Sequence, residues 1–413
     1  MAGRGLSQRR REICESAVIR GGGRHGIQRQ ADPRQLFRRP EAQVLRSRGR
    51  SAITHAEPGK GGLRVHGVCF RAPRVVAWDD VVDPLIEDRA DAVVQVDLAG
   101  LCGSDLHPFF GREQGLDPGT VMGHEFVGRV LEVGADVRSV RPGDRVFSPF
   151  STSCGQCPPC RSGLTSRCER GQLFGWRSNG VGLHGGQAER VRVPLADGTL
   201  KPMPPGLSSE AALLLGDNFS TASYCADLAD LQPGQVVVVI GCGSVGLLGI
   251  MAAQAHGVSM VVAVDPVAER RARAAALGAV ACEPGPGVAQ AVAAAGGRRG
   301  ADSVMEFVGL PGAQRLAWEV LRPGGVMAVI GCHTAPFAFS PAEAYDKNLT
   351  YRTGRCPARH QMEKLTERVL HELPAITQVI THRFGPSDCV RAYDVFAHQR
   401  DGCVKAVFEF GKR

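Results

Sequence analysis

Four cysteines lie close together in the run Cys154-Gly-Gln-Cys157-Pro-Pro-Cys160, which is followed by Cys168. Spacings of two, two and seven intervening residues place these thiols within 15 residues, close enough to surround one tetrahedral ion. Zinc favours such a four-cysteine shell in structural sites. A bacterial iron–sulfur run has three residues before its last cysteine, and a disulfide knot suits a small secreted domain. The spacing therefore predicts a structural zinc site.

A glycine pattern further along the chain is typical of phosphate binding. The apolar run 236–240 precedes it, and an apolar helical stretch follows it to about His256. Such glycines permit a tight turn and a close approach of the backbone to a pyrophosphate, and the helix N-terminus offers free N–H groups. The predicted cofactor-binding residues of this segment are Gly241, Gly243, Ser244, Val245 and Gly246.

An acidic residue ends the next apolar run, 24 residues after Gly241. The carboxylate of Asp265 is suited to accept a hydrogen bond from the adenosine ribose 2′-hydroxyl and to repel a 2′-phosphate, which favours NAD over NADP. Arg270 follows closely, and an arginine can hold a phosphate. We therefore include Arg270 among the cofactor-binding residues and leave the strictness of the NAD preference open.

Metal-ligating residue types also occur upstream of the four-cysteine run. Cys102 lies in Leu-Cys-Gly-Ser-Asp-Leu-His, and His124 lies in Gly-His-Glu. A catalytic zinc takes three protein ligands and keeps one open position. Lone cysteines and histidines more often pack in a core, but these two lie in turn-rich segments beside carboxylates. They are candidates for a second metal site.

The composition is that of a globular protein, with 43% hydrophobic and 22% charged residues. Residues 1–62 carry a net charge of +9 and the remainder −1, so we expect no nucleic-acid surface on the folded domains. We also expect no membrane association. Residues 1–62 also lack apolar periodicity, which predicts a disordered basic tail. The domain pattern begins near Val65, and no methionine occurs between Met1 and Met122. We therefore expect a reading frame that starts near Val65 or Val68, which would explain both facts. The scattered cysteines indicate a reducing, cytoplasmic location.

The apolar patterns predict two kinds of domain. Residues 66–200 read as short strands and turns, which indicates a β-rich domain. From about 207 to 350, apolar strands alternate with Ala-rich helical stretches, as in a parallel βαβ sheet. We predict an α/β chain with a β-rich catalytic domain and a doubly wound Rossmann domain.

These motifs together resemble the zinc-dependent alcohol dehydrogenase family of the medium-chain dehydrogenase/reductase superfamily. The four-cysteine run fits the structural-zinc lobe of that family. The zinc signature of the family is matched by Gly123-His124-Glu125-x2-Gly128-x5-Gly134-x2-Val137.

The resemblance covers about residues 65–413 and implies an organisation for them. A GroES-like catalytic domain is expected over residues 63–206, completed by 351–413, with a Rossmann NAD-binding domain over 207–350. The resemblance also implies two zinc ions per chain, NAD, a small alcohol or aldehyde substrate, and a homo-oligomer (dimer or tetramer).

The resemblance further implies a ligand set for the catalytic zinc. Cys102 and His124 match the first two ligands, and Asp217 is expected as the third, where many members have cysteine. Cys225 is a rival that lies two helical turns further on. Glu125 matches a glutamate that can approach the metal when water leaves.

Roles around the metal follow from the same resemblance. Asp105 matches a carboxylate that orients the histidine ligand. Ser104 is expected to relay the substrate proton and His107 to pass it outward. Thr221 is expected to pack behind the nicotinamide ring.

The implied activity is hydride transfer between an alcohol, or an aldehyde hydrate, and NAD. Gly103, Asp217 and the run 185–189 favour the formaldehyde dehydrogenase-like branch, with a polyol or threonine dehydrogenase as the alternative. A zinc-binding structural or interaction protein is the non-enzymatic alternative. The substrate itself does not follow. Four aromatic residues either line a pocket or pack in the core: Phe109, Phe110, Phe174 and Trp176.

Overall fold

The computed structural model describes residues 64–331, 335–372 and 374–411. The predicted tail, residues 1–62, lies outside the described residues. The strands are β1 (Arg64–Ala72), β2 (Val75–Val82), β3 (Ala92–Leu101), β4 (Phe126–Val133), β5 (Arg145–Phe147), β6 (Trp176–Ser178), β7 (Val181–Leu183), β8 (Arg190–Val193), β9 (Lys201–Pro202), β10 (Val236–Ile240), β11 (Met260–Val264), β12 (Val280–Cys282), β13 (Ala301–Glu306), β14 (Leu321–Val329), β15 (Thr350–Thr353), β16 (Ile380–Phe384) and β17 (Lys405–Glu409).

The helices alternate with the strands mainly in the second half of the chain. They are α1 (Leu106–Phe109), α2 (Pro158–Arg161), α3 (Ala196–Thr199), α4 (Ser209–Gly216), α5 (Asn218–Leu228), α6 (Ser244–Gln254), α7 (Ala268–Ala276), α8 (Gly287–Ala294), α9 (Pro311–Val320), α10 (Pro341–Asp346), α11 (Ala358–His371) and α12 (Cys389–Ala397). Short 3₁₀ turns span Gly103–Asp105, Thr165–Arg167, Pro374–Val379, Pro386–Asp388 and Arg400–Gly402.

Six parallel strands form one sheet in the order β12-β11-β10-β13-β14-β15. Its central strand β10 is buried along its whole length. Val237 and Val239 pack in one core with Leu247 of α6, whereas Val238 packs in another with Val288 of α8. Because alternate side chains of a strand point to opposite faces, helices cover both faces of this sheet. The predicted doubly wound parallel sheet is confirmed.

The loop after β10 brings the strand and α6 unusually close together. A Cβ added at Gly246 meets the carbonyl oxygen of Gly241 at 1.7 Å, so a side chain at this position forces the two elements apart. This is the close helix–strand packing that the glycine pattern predicts. The consequence is that the N-terminus of α6 faces the carboxyl end of β10.

A second sheet of seven strands is built largely from the first half of the chain. Its order is β16-β17-β3-β4-β5-β9, and β8 also pairs with β3. The pairings within it are antiparallel except that of β16 with β17. The predicted β-rich architecture is therefore present.

The C-terminal segment returns to this second sheet. β17 pairs with β3 in antiparallel fashion, with Ala406 opposite Leu101. The pairing agrees with a catalytic domain completed by the end of the chain, although the exact domain boundaries stay a prediction. Among the described residues, no helix is both long enough and apolar enough to cross a bilayer.

Candidate functional site

The three predicted ligands of the catalytic metal lie at the ends of separate strands and helices, and these ends lie near one another. Cys102 follows the last residue of β3, and His124 lies just before β4, which pairs with β3. Asp217 separates α4 from α5, and its backbone (φ −145°, ψ −71°) interrupts the helical path between them. The break turns the Asp217 side chain out of the helix and towards the strand ends.

The donor atoms of these residues converge. The Cys102 thiol lies 3.5 Å from Asp217 Oδ2, and His124 Nε2 lies 3.3 Å from the same oxygen. Together with a Glu125 oxygen, these atoms all lie within 4.8 Å of one another. One thiol, one imidazole and one carboxylate oxygen form a donor set that suits zinc.

One polar side chain lies beside each nitrogen of the His124 ring. Asp105 Oδ1 lies 3.3 Å from Nδ1, and Ser104 Oγ lies 3.3 Å from Nε2. A carboxylate on Nδ1 fixes the ring orientation and leaves Nε2 for a metal. His107 lies in α1, half-buried, shortly after the turn that carries Ser104.

The electrostatics of the cluster favour a bound cation. Although burial alone lowers it, the carboxylates of Asp105 and Asp217 raise the pKa of His124 well above its usual value. Burial works against ionisation of Asp217, but His124 holds the pKa of that carboxyl at about 2. Burial and the negative charge of Asp217 raise the pKa of the Cys102 thiol. Without a metal, a proton on His124 compensates these charges, and a divalent cation is suited to replace it.

Glu125 is buried and forms an ion pair with a lysine from the far end of the chain. Lys405 Nζ donates to Glu125 Oε1 over 2.7 Å and also to Oε2, and neither side chain is accessible to solvent. Asn218 Nδ2 donates to Glu125 Oε1 over 2.7 Å. Although burial lowers it, the Glu125 carboxylate raises the pKa of Lys405, so the lysine stays charged. Sequence reasoning missed Lys405 and Asn218; the only signal for Lys405 was a lysine inside an apolar strand.

Thr221 contacts the expected third ligand, Asp217. Its hydroxyl donates to Asp217 Oδ1 over 3.0 Å, and its backbone N–H donates to the Asp217 carbonyl over 2.7 Å. Thr221 therefore holds the carboxylate oxygen that faces away from Cys102. The rival ligand Cys225 is buried within α5, and its thiol donates weakly to the Ala328 carbonyl at 3.8 Å. It does not join the cluster.

Most of the aromatic residues singled out in the sequence pack in the core. Phe109 contacts Tyr393 at 5.2 Å between ring centroids, and Phe174 lies edge-on to Phe126 at 5.1 Å. Phe110 and Trp176 pack against the cluster that contains Phe109. A different aromatic residue, Phe150, lies edge-on to the His124 ring at 6.4 Å. It was not predicted, because nothing in its local sequence marks it.

The four-cysteine run forms a second cluster, with its sulfur atoms within 4.8 Å of one another. The backbone N–H groups of Gln156 and Cys157 point at the Cys154 sulfur at 3.4 and 3.3 Å. Although burial raises it, these N–H groups lower the pKa of Cys154 to about 6. Burial and the Cys157 thiol raise the pKa of Cys160 to about 12. Sulfurs gathered around one point and supported by backbone donors suit a metal held by four thiolates.

The glycine loop offers a cradle for phosphate. α6 begins at Ser244, with Gly243 as its N-cap residue. No side chain accepts a hydrogen bond from the first backbone N–H groups of this helix. A Cβ added at Gly243 meets nothing within 4 Å, so the backbone there borders open space. Val245 is half-buried beside it. Uncapped N–H groups beside such a space suit a pyrophosphate.

Asp265 lies at the carboxyl end of β11, next to this loop. Its Oδ2 accepts from the Cys242 N–H over 2.8 Å, and its Oδ1 accepts from the Val267 N–H over 2.9 Å. Each oxygen keeps a lone pair for a further donor. Arg270 approaches Asp265 Oδ2 to 3.8 Å, and its buried Nε has no hydrogen-bond partner among the described residues. Asp265 and the partly exposed Arg270 therefore offer a carboxylate and a guanidinium beside the glycine loop.

Two family models match this chain. The alcohol dehydrogenase GroES-like domain matches residues 88–205, and the zinc-binding dehydrogenase matches residues 244–371. The zinc-type alcohol dehydrogenase B of Aspergillus flavus is 38% identical over 364 residues, which cover 84% of this chain and 82% of that protein.

Solved structures agree with the fold. The alcohol dehydrogenase TADH from Thermus sp. ATN1 is 36% identical with a TM-score of 0.79, over 84% of this chain and 100% of that chain. An Escherichia coli CFT073 alcohol dehydrogenase solved with NADH matches at a TM-score of 0.75 and 24% identity, over 84% of this chain and 100% of that one.

Proposed function

The chain belongs to the zinc-dependent alcohol dehydrogenase family, and we propose that it moves a hydride between an alcohol, or an aldehyde hydrate, and NAD. One observation carries the proposal: Cys102, His124 and Asp217 bring a thiol, an imidazole and a carboxylate together. Three protein ligands leave a fourth position for a substrate oxygen.

Zinc and NAD supply the reactive chemistry when bound, because zinc is a Lewis acid towards an alcohol oxygen and NAD is a hydride acceptor. The side chains hold the reactants in place. Cys102, His124 and Asp217 hold the metal, and Asp105 fixes the His124 ring through Nδ1. Ser104 Oγ, beside His124 Nε2, takes the proton of the substrate hydroxyl while it releases its own proton towards His107, which passes a proton outward.

The loop after β10 would hold the cofactor. The N–H groups at the start of α6 would donate to its pyrophosphate beside the open space at Gly243. Asp265 accepts from the ribose hydroxyls and repels a 2′-phosphate, so NAD is preferred to NADP. Arg270, which approaches Asp265 Oδ2 to 3.8 Å and is partly exposed, would donate from its guanidinium at the same end of the cofactor.

The four-cysteine cluster holds a second, structural zinc. Its donors are all sulfur, and a closed shell of four thiolates leaves no position for a substrate. Cys154, Cys157, Cys160 and Cys168 thus stabilise the lobe without taking part in the reaction.

A paired substitution tests the third ligand and the activity together. The zinc-loaded enzyme is assayed with short alcohols, polyols, threonine and formaldehyde hydrate, each with NAD and with NADP. We expect Asp217→Ala to abolish turnover on whichever substrate is active and Cys225→Ser to keep it, because only Asp217 reaches the cluster. Full turnover by Asp217→Ala contradicts the proposed site.

A further inference from the structure

A small cavity lies where three helices meet, outside the cluster of metal ligands. It has a volume of about 110 Å³ and is bordered by side chains of α5, of α11 and of the end of α6. Its apolar walls include Phe219, Ala252 and Leu365, which are buried in one hydrophobic core. A cavity of about 150 Å³ can hold benzene, so this one suits a molecule of no more than about six non-hydrogen atoms.

The buried amide of Gln361 borders this cavity. Gln361 is only 3% exposed, and its Nε2 donates to Asp227 Oδ2 over 3.0 Å. Because a carboxylate accepts from the NH₂ group and repels the amide oxygen, Asp227 fixes the amide with Oε1 on its other side. Gln361 Oε1 has no hydrogen-bond partner among the described residues. An unpaired buried acceptor is costly, so this oxygen favours a ligand that carries a hydrogen-bond donor.

Two further polar side chains border the same cavity. Ser223 is 6% exposed, and its hydroxyl makes no hydrogen bond to the described part of the chain. His256 Nδ1 lies 2.8 Å from the Ala252 carbonyl, so in the neutral ring this nitrogen carries the hydrogen and Nε2 is an acceptor. The cavity therefore offers acceptors, together with one hydroxyl that both donates and accepts.

The charges around the cavity disfavour an ionised ligand. Lys364 Nζ donates to Asp227 Oδ2 over 3.0 Å. Arg368 Nε donates to Glu372 Oε2 over 3.3 Å, so both cations already have an anionic partner. A carboxylate would place its oxygens against the unpaired oxygen of Gln361, and an ammonium group would meet two positive side chains. A neutral molecule with hydroxyl groups pairs with the acceptors without either cost.

We propose that this cavity binds a short polyol of about the size of glycerol. The hydroxyl groups of the polyol donate to Gln361 Oε1 and exchange hydrogen bonds with Ser223, while its carbon chain lies against Phe219 and Leu365. The bound polyol joins α11 to α5, the helix that begins directly after Asp217. The site uses neither the metal nor NAD, so the inference is independent of the proposed function.

The test measures binding of 3-fluoro-1,2-propanediol, a neutral diol of the size of glycerol, to the zinc-loaded full chain by fluorine NMR relaxation. We expect a Kd on the order of 1–10 mM, because so small a ligand makes few contacts. Ala252→Leu fills the cavity and should abolish this binding. Gln361→Met and Ser223→Ala each remove one hydrogen-bonding group, so each should weaken binding about two- to tenfold.

Ser220→Ala is the matched control for these substitutions. Ser220 lies on the same helix as Ser223, but its hydroxyl donates to the Leu215 carbonyl. This variant should therefore keep the affinity of the wild type even where it loses stability. If the probe does not bind at about ten times the expected Kd, water is the only occupant of the cavity and the proposal is overturned. An affinity that Ala252→Leu leaves unchanged overturns it as well.

A diol can also bind at the proposed metal site, and Cys102→Ser separates the two sites. Binding in the cavity should be unchanged in this variant. Binding that is lost in Cys102→Ser but kept in Ala252→Leu belongs to the metal site, which overturns the cavity proposal and supports the proposed function. Should Ala252→Leu not fold, wild-type affinity in both Gln361→Met and Ser223→Ala overturns the proposal.

Discussion

The two candidate metal centres differ in how the chain assembles them. Cys154, Cys157, Cys160 and Cys168 come from one loop of 15 residues, and backbone N–H groups of the same loop support their sulfurs. The ligands around His124 come from three separate elements, and Lys405 arrives from a strand 280 residues beyond Glu125. A local loop can close a shell around an ion, whereas a site built from distant elements can keep one side open.

The two centres are therefore expected to have different roles. The local cluster contains only thiols, so a bound ion is fully enclosed and serves stability. The dispersed cluster mixes a thiol, an imidazole and carboxylates, with a single buried lysine to balance the excess negative charge. Substitutions in the first centre should therefore act on folding, and those in the second on turnover.

The largest effect is expected at the dispersed centre. Cys102→Ser removes a metal ligand, and loss of several kcal/mol of transition-state stabilisation corresponds to a fall in kcat/KM of about a thousandfold or more. NAD binding, measured by fluorescence titration, should stay near normal because the glycine loop is untouched. Full turnover by this variant contradicts the assignment.

At the local centre, Cys157→Ser should act on stability instead. Loss of the ion from the four-thiolate cluster removes folding free energy. Each kcal/mol lost lowers Tm by about 2–4 °C in a domain of about 150–250 residues, so we expect Tm to fall by several degrees. Differential scanning calorimetry measures the shift, and Cys69→Ser, a buried cysteine outside both clusters, is the matched control. An equal loss of Tm in both variants means that the cluster has no special role.

The nucleotide site offers a third comparison. Asp265→Ser removes a charged acceptor at the proposed ribose position, which is worth about 1.5–3 kcal/mol, or roughly a tenfold or larger rise in KM for NAD. Rejection of NADP should relax at the same time because the repelling charge is gone. Steady-state kinetics with both cofactors check this, and an unchanged ratio of the two kcat/KM values rules out the role of Asp265.

The smallest effect is expected from the hydroxyl that supports Asp217. Thr221→Val keeps the shape but removes the hydrogen bond to Asp217 Oδ1, so metal affinity should fall by about tenfold. Thr221→Ser retains the hydroxyl and is the control. Competition with a chromogenic chelator measures the affinity, and equal values for Thr221→Val and the wild type show that the hydrogen bond does not position the ligand.

The same contrast explains how much the sequence could predict. The four-cysteine loop and the glycine loop are local, so spacing alone indicated their chemistry, and the apolar run 236–240 before the glycine loop appears as β10. Asp217 entered only through resemblance, because the helix break that turns its side chain towards the site has no clear local signal. Strand pairing and packing across the fold bring three further residues to the site: Lys405, Asn218 and Phe150. A pattern of residues along the chain does not indicate such contacts.

Counting zinc in each variant tests the central claim most directly. We expect native mass spectrometry of the folded chain to find two zinc ions in the wild type and one in each of Cys102→Ser and Cys157→Ser. The ion that remains in Cys102→Ser should be the one enclosed by the four cysteines, so the double variant should hold none. A wild type with one zinc, or a Cys102→Ser variant that keeps two, contradicts the account of a structural and a catalytic metal centre.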